Sequence, residues 1–387
     1  MQKVMADGQS EAVDAAADVI ARLKSRVVEH CLPLWSGEGW DVAAGGFVDR
    51  LAPDGRADRQ APRRVMVQAR QIYCFAKAAQ MGWSADGRAI ALKGLDYLLA
   101  KAKAPDGRPG FVFSLTPEGT VQDGRRDTYA HAFVLLALAT AYELDRDAQI
   151  RAEIDALLLF LDTKLRSPHG GFLEGLPPSL PRRQNPHMHL FESMIAAFDA
   201  THDLALQQRA GDFYALFLAN LYDKQTRLLG EYFEDDWSKI APVIVEPGHL
   251  AEWVWLLRGF ERITGCPTGQ RRSELLQSAL RYRDGATGCL VDVGDADGNI
   301  RRDTRRLWPQ VELAKAFIAQ VEGGDAGAAE EARAALVRLE RHYLSHPVAG
   351  GWYDQFDSSG ASLVATIPAS SFYHVLCAVT EADQVLS

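Results

Sequence analysis

The sequence predicts an all-α fold, an (α/α)6 barrel built from six helix-hairpin repeats, on three observations. A short glycine-apolar signal recurs six times at near-constant spacing. Each signal is followed by a polar loop and then an apolar, helix-like run. Between these runs lie more amphipathic segments with one charged face.

The signals are GGF at Gly45 to Phe47, PGF at Pro109 to Phe111, GGF at Gly170 to Phe172, GEYF at Gly230 to Phe233, GCL at Gly288 to Leu290 and GGW at Gly350 to Trp352. Glycines 46, 110, 171, 230, 288 and 351 stand 64, 61, 59, 58 and 63 residues apart. The runs that follow begin at Val67, Asp127, Asn185, Glu246, Trp308 and Ile367. Four of the six carry Pro at or near the first turn, where the missing N–H is no loss and the fixed φ suits helix entry. HAFVLLALATAY is apolar all round, as a helix covered on both sides must be, whereas Ala210 to Tyr222 and Gly327 to Leu344 keep one charged face. An inner ring of buried helices inside an outer ring of half-exposed ones is the economical reading, and an open solenoid is the alternative.

The first thirty residues scatter acidic side chains and hold no apolar block, so they read as an amphipathic helix over about 10–30 in the outer ring rather than a secretory signal. The most apolar run, Ala132 to Tyr142, is eleven residues long, well short of the roughly 20 needed to cross a bilayer. A net charge of -9 disfavours nucleic acid and anionic lipid as partners. Five scattered cysteines (Cys31, Cys74, Cys266, Cys289, Cys377) with no C-x-x-C pair argue against a disulfide framework and a thiolate metal site. Together these features predict a cytoplasmic, non-membrane protein folded over 1–387 as a single domain.

The polar residues near the starts of the apolar runs carry the chemistry: Arg70, Asp127, His131, His189, His249, Glu252, Trp308, Glu312 and, slightly later, His374. If the six starts share one end of a barrel, these side chains converge. Singly, His131 or Glu312 reads as a satisfied core group and Arg70 as half of an ion pair. As a set they point to a site, because burying so many ionisable groups is unfavourable without one. A helix N-terminus disfavours imidazolium, which leaves neutral imidazole as a base. Glu252, one turn after His249, could orient that ring.

In QNPHMHLFE the spacing predicts Asn185 as N-cap and Pro186 as the first helical residue. His187 and His189 then project roughly 200° apart and do not share an ion. His189 is expected in the pocket and His187 in its support. No H-E-x-x-H, phosphate loop or dinucleotide fingerprint is present, so neither metal nor cofactor is expected.

RRVMVQARQIYCF, DTYAHAFVLLALA, RRQNPHMHLFES, VEPGHLAEWVWLL, RLWPQVELAKAF and GGWYDQFDSSG followed by IPASSFYH together resemble the N-acylglucosamine 2-epimerase family over about 45–381. The resemblance implies a barrel that binds an open-chain sugar and moves a proton beside its carbonyl. It implies His249 and His374 as acid/base groups, Arg70 near the sugar's O1 and O2, Asn185 and His189 as substrate and ring-opening contacts, Glu252 as the partner of His249, and Trp308 as a pocket wall. Glu312, His131 and Asp127 complete the expected substrate contacts.

NPHMHLFE and EPGHLAEW are similar to the mannose-isomerase-like branch, which implies cofactor-independent mannose–fructose isomerisation through a cis-enediolate. A sugar 2-epimerase, or an isomerase of a phosphorylated or sulfonated hexose, remains open. For the phosphorylated case RRDTRR at Arg301 to Arg306 offers arginine forks, if it is not simply a solvated loop. Inverting glycoside hydrolysis would need two carboxylates about 6.5 to 9.5 Å apart from among Asp127, Glu252 and Glu312. A non-catalytic sugar-binding protein would need no paired histidines. The expected partner is a small sugar, with the protein a monomer or homodimer.

Overall fold

The computed structural model describes residues 19–387. Of the expected first helix, residues 10–18 lie outside the described part. The helices are α1 (Val19–Arg26), α2 (Leu32–Gly37), α3 (Val65–Gln80), α4 (Gly87–Ala102), α5 (Thr128–Asp145), α6 (Ala148–Phe160), α7 (Gln184–Thr201), α8 (Leu204–Leu216), α9 (Pro247–Thr264), α10 (Gly269–Leu280), α11 (Leu307–Glu322), α12 (Ala328–His342) and α13 (Phe372–Val385). A π-helical turn, Val27–Cys31, joins α1 to α2.

α3, α5, α7, α9, α11 and α13 form the inner ring, each packed on the next, and α13 packs back on α3. In α5 every residue from Ala130 to Ala141 is buried, which explains its all-round apolar sequence. Outer α12 buries Ala328, Ala332, Ala335, Leu336 and Leu339, a stripe of helical spacing, and turns its charges outward. Its acids stand in the first turn and its bases in the last, as the helix dipole favours. α1 packs against α12 and α13 and completes the outer ring. The barrel is therefore closed, not an open solenoid. Among the described residues no helix is long and apolar enough to cross a membrane.

Short antiparallel strand pairs encircle one end. The residues just before each inner helix pair with a strand of the next repeat: Arg63–Arg64 with Ser114–Leu115, Arg126–Asp127 with Gly175–Leu176, Arg182–Arg183 with Tyr232–Phe233, Ile244–Val245 with Val293–Asp295 and Arg305–Arg306 with Gln355–Phe356. Ile367–Pro368 of the sixth repeat pairs with Arg50–Leu51 of the first, so this ring closes too.

The recurring glycine-apolar signal has a structural cause. In four repeats the fourth residue of the inner helix clamps the backbone of the apolar residue. Gln68 bonds both N–H and C=O of Phe47 (2.9 and 2.7 Å), and Gln310 does the same for Leu290 (2.7 and 2.9 Å). His131 accepts from the Phe111 N–H and His187 from the Phe172 N–H, each at 2.9 Å. Gly171, at φ +64°, leaves room for that ring: a Cβ there would lie 2.7 Å from His187 Nε2. The fourth signal is shifted from its expected place, because the bridge Tyr222–Leu229 matches Arg166–Phe172 and Arg283–Leu290 and makes Leu229 the equivalent residue.

Two residues after the apolar position stands an acid that accepts the backbone N–H just before the inner helix. Asp49 serves Arg64, Glu174 serves Arg183, Glu231 serves Glu246 and Asp292 serves Arg306. Three of these acids also pair with the arginine side chain itself, Arg64–Asp49 at 2.8 Å, Arg183–Glu174 at 2.6 Å and Arg306–Asp292 at 3.8 Å. In the fourth repeat the acid, Glu231, has a histidine as its side-chain partner instead.

Candidate active site

The N-terminal ends of α3, α5 and α7 border a cavity of about 480 Å³ whose wall includes Arg64, Met66, Asp127, Tyr129, Glu174 and Arg183. A separate cavity of about 120 Å³ at the opposite end, lined by Thr140, Asp199 and Gly259, reaches Glu192 from behind.

Inside the barrel three histidines are held alike. His189 Nδ1 lies 2.8 Å from Glu192, His249 Nδ1 2.9 Å from Glu231 and His374 Nδ1 2.7 Å from Glu312. A carboxylate on Nδ1 fixes the ring and directs the other nitrogen, Nε2, to whatever binds in front of it. The Trp308 ring stands 4.9 Å from the His249 ring and 6.1 Å from that of His374.

Despite the shared arrangement, the rings differ in charge. Burial, which outweighs Glu192 and Glu312, pushes His189 and His374 down to about 4. Burial also opposes charge on His249, but Glu231, then Glu246 and Glu252, override it and raise that ring to about 9. The expectation that a helix start keeps its histidine neutral is thus corrected for His249, because a buried carboxylate acts more strongly than the helix dipole. At neutral pH the site holds one imidazolium and two neutral imidazoles.

Arg70 stacks on Phe133, 4.1 Å from its ring centre, with Tyr373 at 4.9 Å. It donates to Tyr129 Oη (2.8 Å) and the Ser370 carbonyl (3.1 Å), and its Nε is buried without a partner. Its charge is not spent on a bonded carboxylate. Glu252 is buried, with Oε1 lacking a hydrogen bond and lying 3.9 Å from His189 Nε2. Burial, then the Glu312 carboxylate, raises Glu252 well above the usual carboxylate range.

The structure brings together Arg70, His189, His249, Glu252, Trp308, Glu312 and His374. Glu252 is not the partner of His249, as expected from their one-turn spacing; that partner is Glu231. Asn185 is the second residue of α7 rather than its cap, which is Arg183, and its Oδ1 is buried without a hydrogen bond. Asp127 caps α5 by accepting from the Ala130 N–H (2.8 Å), and it lies in the cavity wall.

His131 is corrected from a substrate contact to a framework residue. Both ring nitrogens are engaged by backbone, Nε2 by the Phe111 N–H and Nδ1 by the Asp127 carbonyl at 2.7 Å. Burial holds it neutral, at about 4. The residues missed in sequence are Glu231, Glu192, Tyr373, Tyr129 and Lys315. Glu231 sits inside the shifted fourth signal, and Glu192 stands one turn after His189, a spacing that could have exposed it.

Two groups have the donors to hold a metal, Glu231 with Glu246 and His249, and Glu252 with Glu312 and His374, each with donor atoms within 4.8 Å of one another. Both are already served by a cation, the His249 ring in the first and the Lys315 ammonium, 2.8 Å from Glu312, in the second. A divalent ion fits neither arrangement well.

The family profile described as N-acylglucosamine 2-epimerase (GlcNAc 2-epimerase) matches residues 45–378. A protein of Rhizobium meliloti (strain 1021) named mannose-6-phosphate isomerase is 36% identical over 378 residues, 92% of this chain and 95% of its own. A crystal structure of D-mannose isomerase superposes with a TM-score of 0.84 at 22% identity, covering 94% of this chain and 97% of its own. Cellobiose 2-epimerase from Spirochaeta thermophila DSM 6192 does so with a TM-score of 0.86 at 22% identity, covering 96% and 98%. The site and these similarities agree: the chain belongs to the N-acylglucosamine 2-epimerase family and is a sugar isomerase or epimerase.

Proposed function

We propose that the enzyme interconverts mannose and fructose without a cofactor, through a cis-enediolate. The observation that carries this reading is the pair of carboxylate-oriented histidines, His374 on Glu312 and His249 on Glu231, beside an arginine that bonds no carboxylate. Neutral His374 takes the proton from C2 of the open-chain aldose, and the electron pair moves to O1 as the enediolate forms. Arg70, in a dry aromatic setting, offsets the developing charge on O1 and O2. Protonated His249 supplies a proton to oxygen. Delivery of a proton from His374, exchangeable with water while it is held on the ring, to C1, with the O2 proton passing to the now neutral His249, gives the ketose. His189 and Glu252, 3.9 Å apart, are suited to opening the pyranose ring.

A neutral sugar is favoured by the rim. Arg64, Arg183 and Arg306 are each engaged by a carboxylate, and in RRDTRR Arg301 and Arg305 pair with Asp295 and Asp284. The name of the Rhizobium meliloti relative favours a second reading, the 6-phosphate of the same sugar. Proton delivery to C2 from His249, whose ring like that of His374 stands beside Trp308, would instead give the C2 epimer.

Incubation of the enzyme with mannose, and separately with mannose 6-phosphate, in heavy water discriminates among these. Deuterium at C1 of fructose is the expected result. Deuterium at C2 of glucose would mean epimerisation, turnover of the phosphate alone would move the substrate to the second reading, and no exchange with either sugar would overturn the proposal.

A further inference from the structure

The carboxylates behind the three site histidines are anchored differently. Glu192 is held by the Tyr373 hydroxyl, and Glu231 by the Gln184 amide (3.2 Å) and the Glu246 N–H (3.3 Å). Glu312 is held by an ammonium: Lys315 Nζ lies 2.8 Å from Oε2, while Oε1 takes the His374 Nδ1 bond at 2.7 Å. The lysine and the histidine therefore share one carboxylate, one oxygen each.

Lys315 is fully buried, one turn after Glu312 on α11, with its ammonium 3.4 Å from the centre of the Trp255 ring on α9. Burying a cation is unfavourable, and a Met would fill a similar volume at no such penalty. Packing therefore does not account for the charge.

We propose that Lys315 is a positioning residue for proton transfer: its ammonium offsets Glu312, so that the carboxylate orients the His374 ring without drawing a proton onto it. This rests on the reading of His374 as the proton acceptor. His249, whose carboxylate has no such counter-charge and which also faces Glu246 and Glu252, holds its proton up to about 9, against about 4 for His374 and for His189, whose Glu192 is held by a tyrosine hydroxyl. The charged and titratable groups facing His374 are Arg70 from α3, Glu252 from α9, Glu312 and Lys315 from α11, and Tyr373 on its own helix. Those facing Lys315 besides Glu312 are Glu192, Glu252 and Cys377. Arg70 and Lys315 both disfavour imidazolium at His374, but only Lys315 does so through the residue that aims the ring.

The test uses the full chain. ¹⁵N-histidine NMR titration of the wild type should find His374 neutral at pH 6.5, and a cationic His374 there would overturn the proposal whatever the variants do. In Lys315→Met the His374 midpoint, and with it the acidic limb of kcat/KM, should move up by about one pH unit or more. Below the new midpoint kcat/KM should fall toward roughly 10-fold under the wild-type value, whereas kcat near neutrality, where the ring stays neutral, should change little. Lys315→Arg, which keeps the charge, should hold the midpoint near the wild-type value. A folded Lys315→Met with an unmoved midpoint overturns the proposal. The NMR midpoint does not depend on which sugar is turned over, so failure of the mannose reading would be seen separately, in the isotope exchange.

Discussion

Glu231 Oε2 accepts from His249 Nδ1 at 2.9 Å across 18 residues of chain, while Glu252, one turn along the same helix as His249, belongs with Glu312 and His374. The charge of His249 is thus governed from the neighbouring hairpin. In the other three repeats that have it, the corresponding acid latches an arginine, so the fourth repeat has turned a scaffold position toward the site.

Glu231→Gln should therefore lower kcat roughly 100-fold with a small change in KM. The active form needs imidazolium, which the wild type keeps up to about 9. Without the carboxylate, burial dominates, and the basic limb of kcat/KM should move to lower pH. An unmoved limb would show that His249 does not act in its charged form.

Arg70→Met should reduce kcat by about 10²- to 10³-fold, as expected when a donor to a developing oxyanion is lost. Arg70→Lys should recover only part of this, because an ammonium cannot match the flat guanidinium stacked on Phe133. Steady-state rates on the substrate found by isotope exchange would check it, and near-normal turnover of the Met variant would remove Arg70 from the chemistry.

His131→Gln and His187→Gln should be well tolerated, since Gln68 and Gln310 perform the same backbone clamp in the first and fifth repeats. His131→Leu should lose about 1 to 3 kcal/mol, the consequence of leaving the buried Phe111 N–H unpaired. His189→Gln should instead abolish turnover while the fold persists. Thermal melts and rates measured together would separate the two classes, and a dead but stable His131→Gln would refute the framework assignment.

Stability should fall in acid. His131, His187, His189 and His374 have midpoints pushed down by burial to about 4, 3, 4 and 4, against 6.5 for an ordinary histidine. A neutral ring favoured by folding contributes stability that is present above 6.5 and lost as pH falls toward those values. His249 acts in the opposite sense, contributing below 6.5 and losing that contribution as pH rises through about 9. Tm should accordingly drop between pH 6.5 and 4, and His131→Gln should lessen the drop. A Tm flat across that interval would contradict the buried neutral rings.

The repeat count, the inner helices and the convergence of Arg70, His189, His249, Glu312 and His374 were legible because helical periodicity and a recurring glycine are local signals. The partners of the histidines were harder to read. Glu231 reaches His249 from a hairpin and Tyr373 reaches Glu192 from another helix, and no spacing along one element encodes such pairings. His131 reads as a site residue because it stands near the start of an inner helix, as the other candidate groups do; its two backbone bonds distinguish it. Asn185 was misplaced because its Pro suggested a later start, whereas the strand pairing of Arg182–Arg183 lets α7 begin at Gln184.

The pairing of Ile367–Pro368 with Arg50–Leu51, together with α13 against α3, gives every repeat two neighbours. An open array of repeats can fray from its ends, one unit at a time. Here there is no end unit to lose, and opening any one seam exposes inner-helix faces on both sides of it. The described part should thus unfold as a single cooperative unit, which suits a candidate site whose groups are drawn from five of the six repeats.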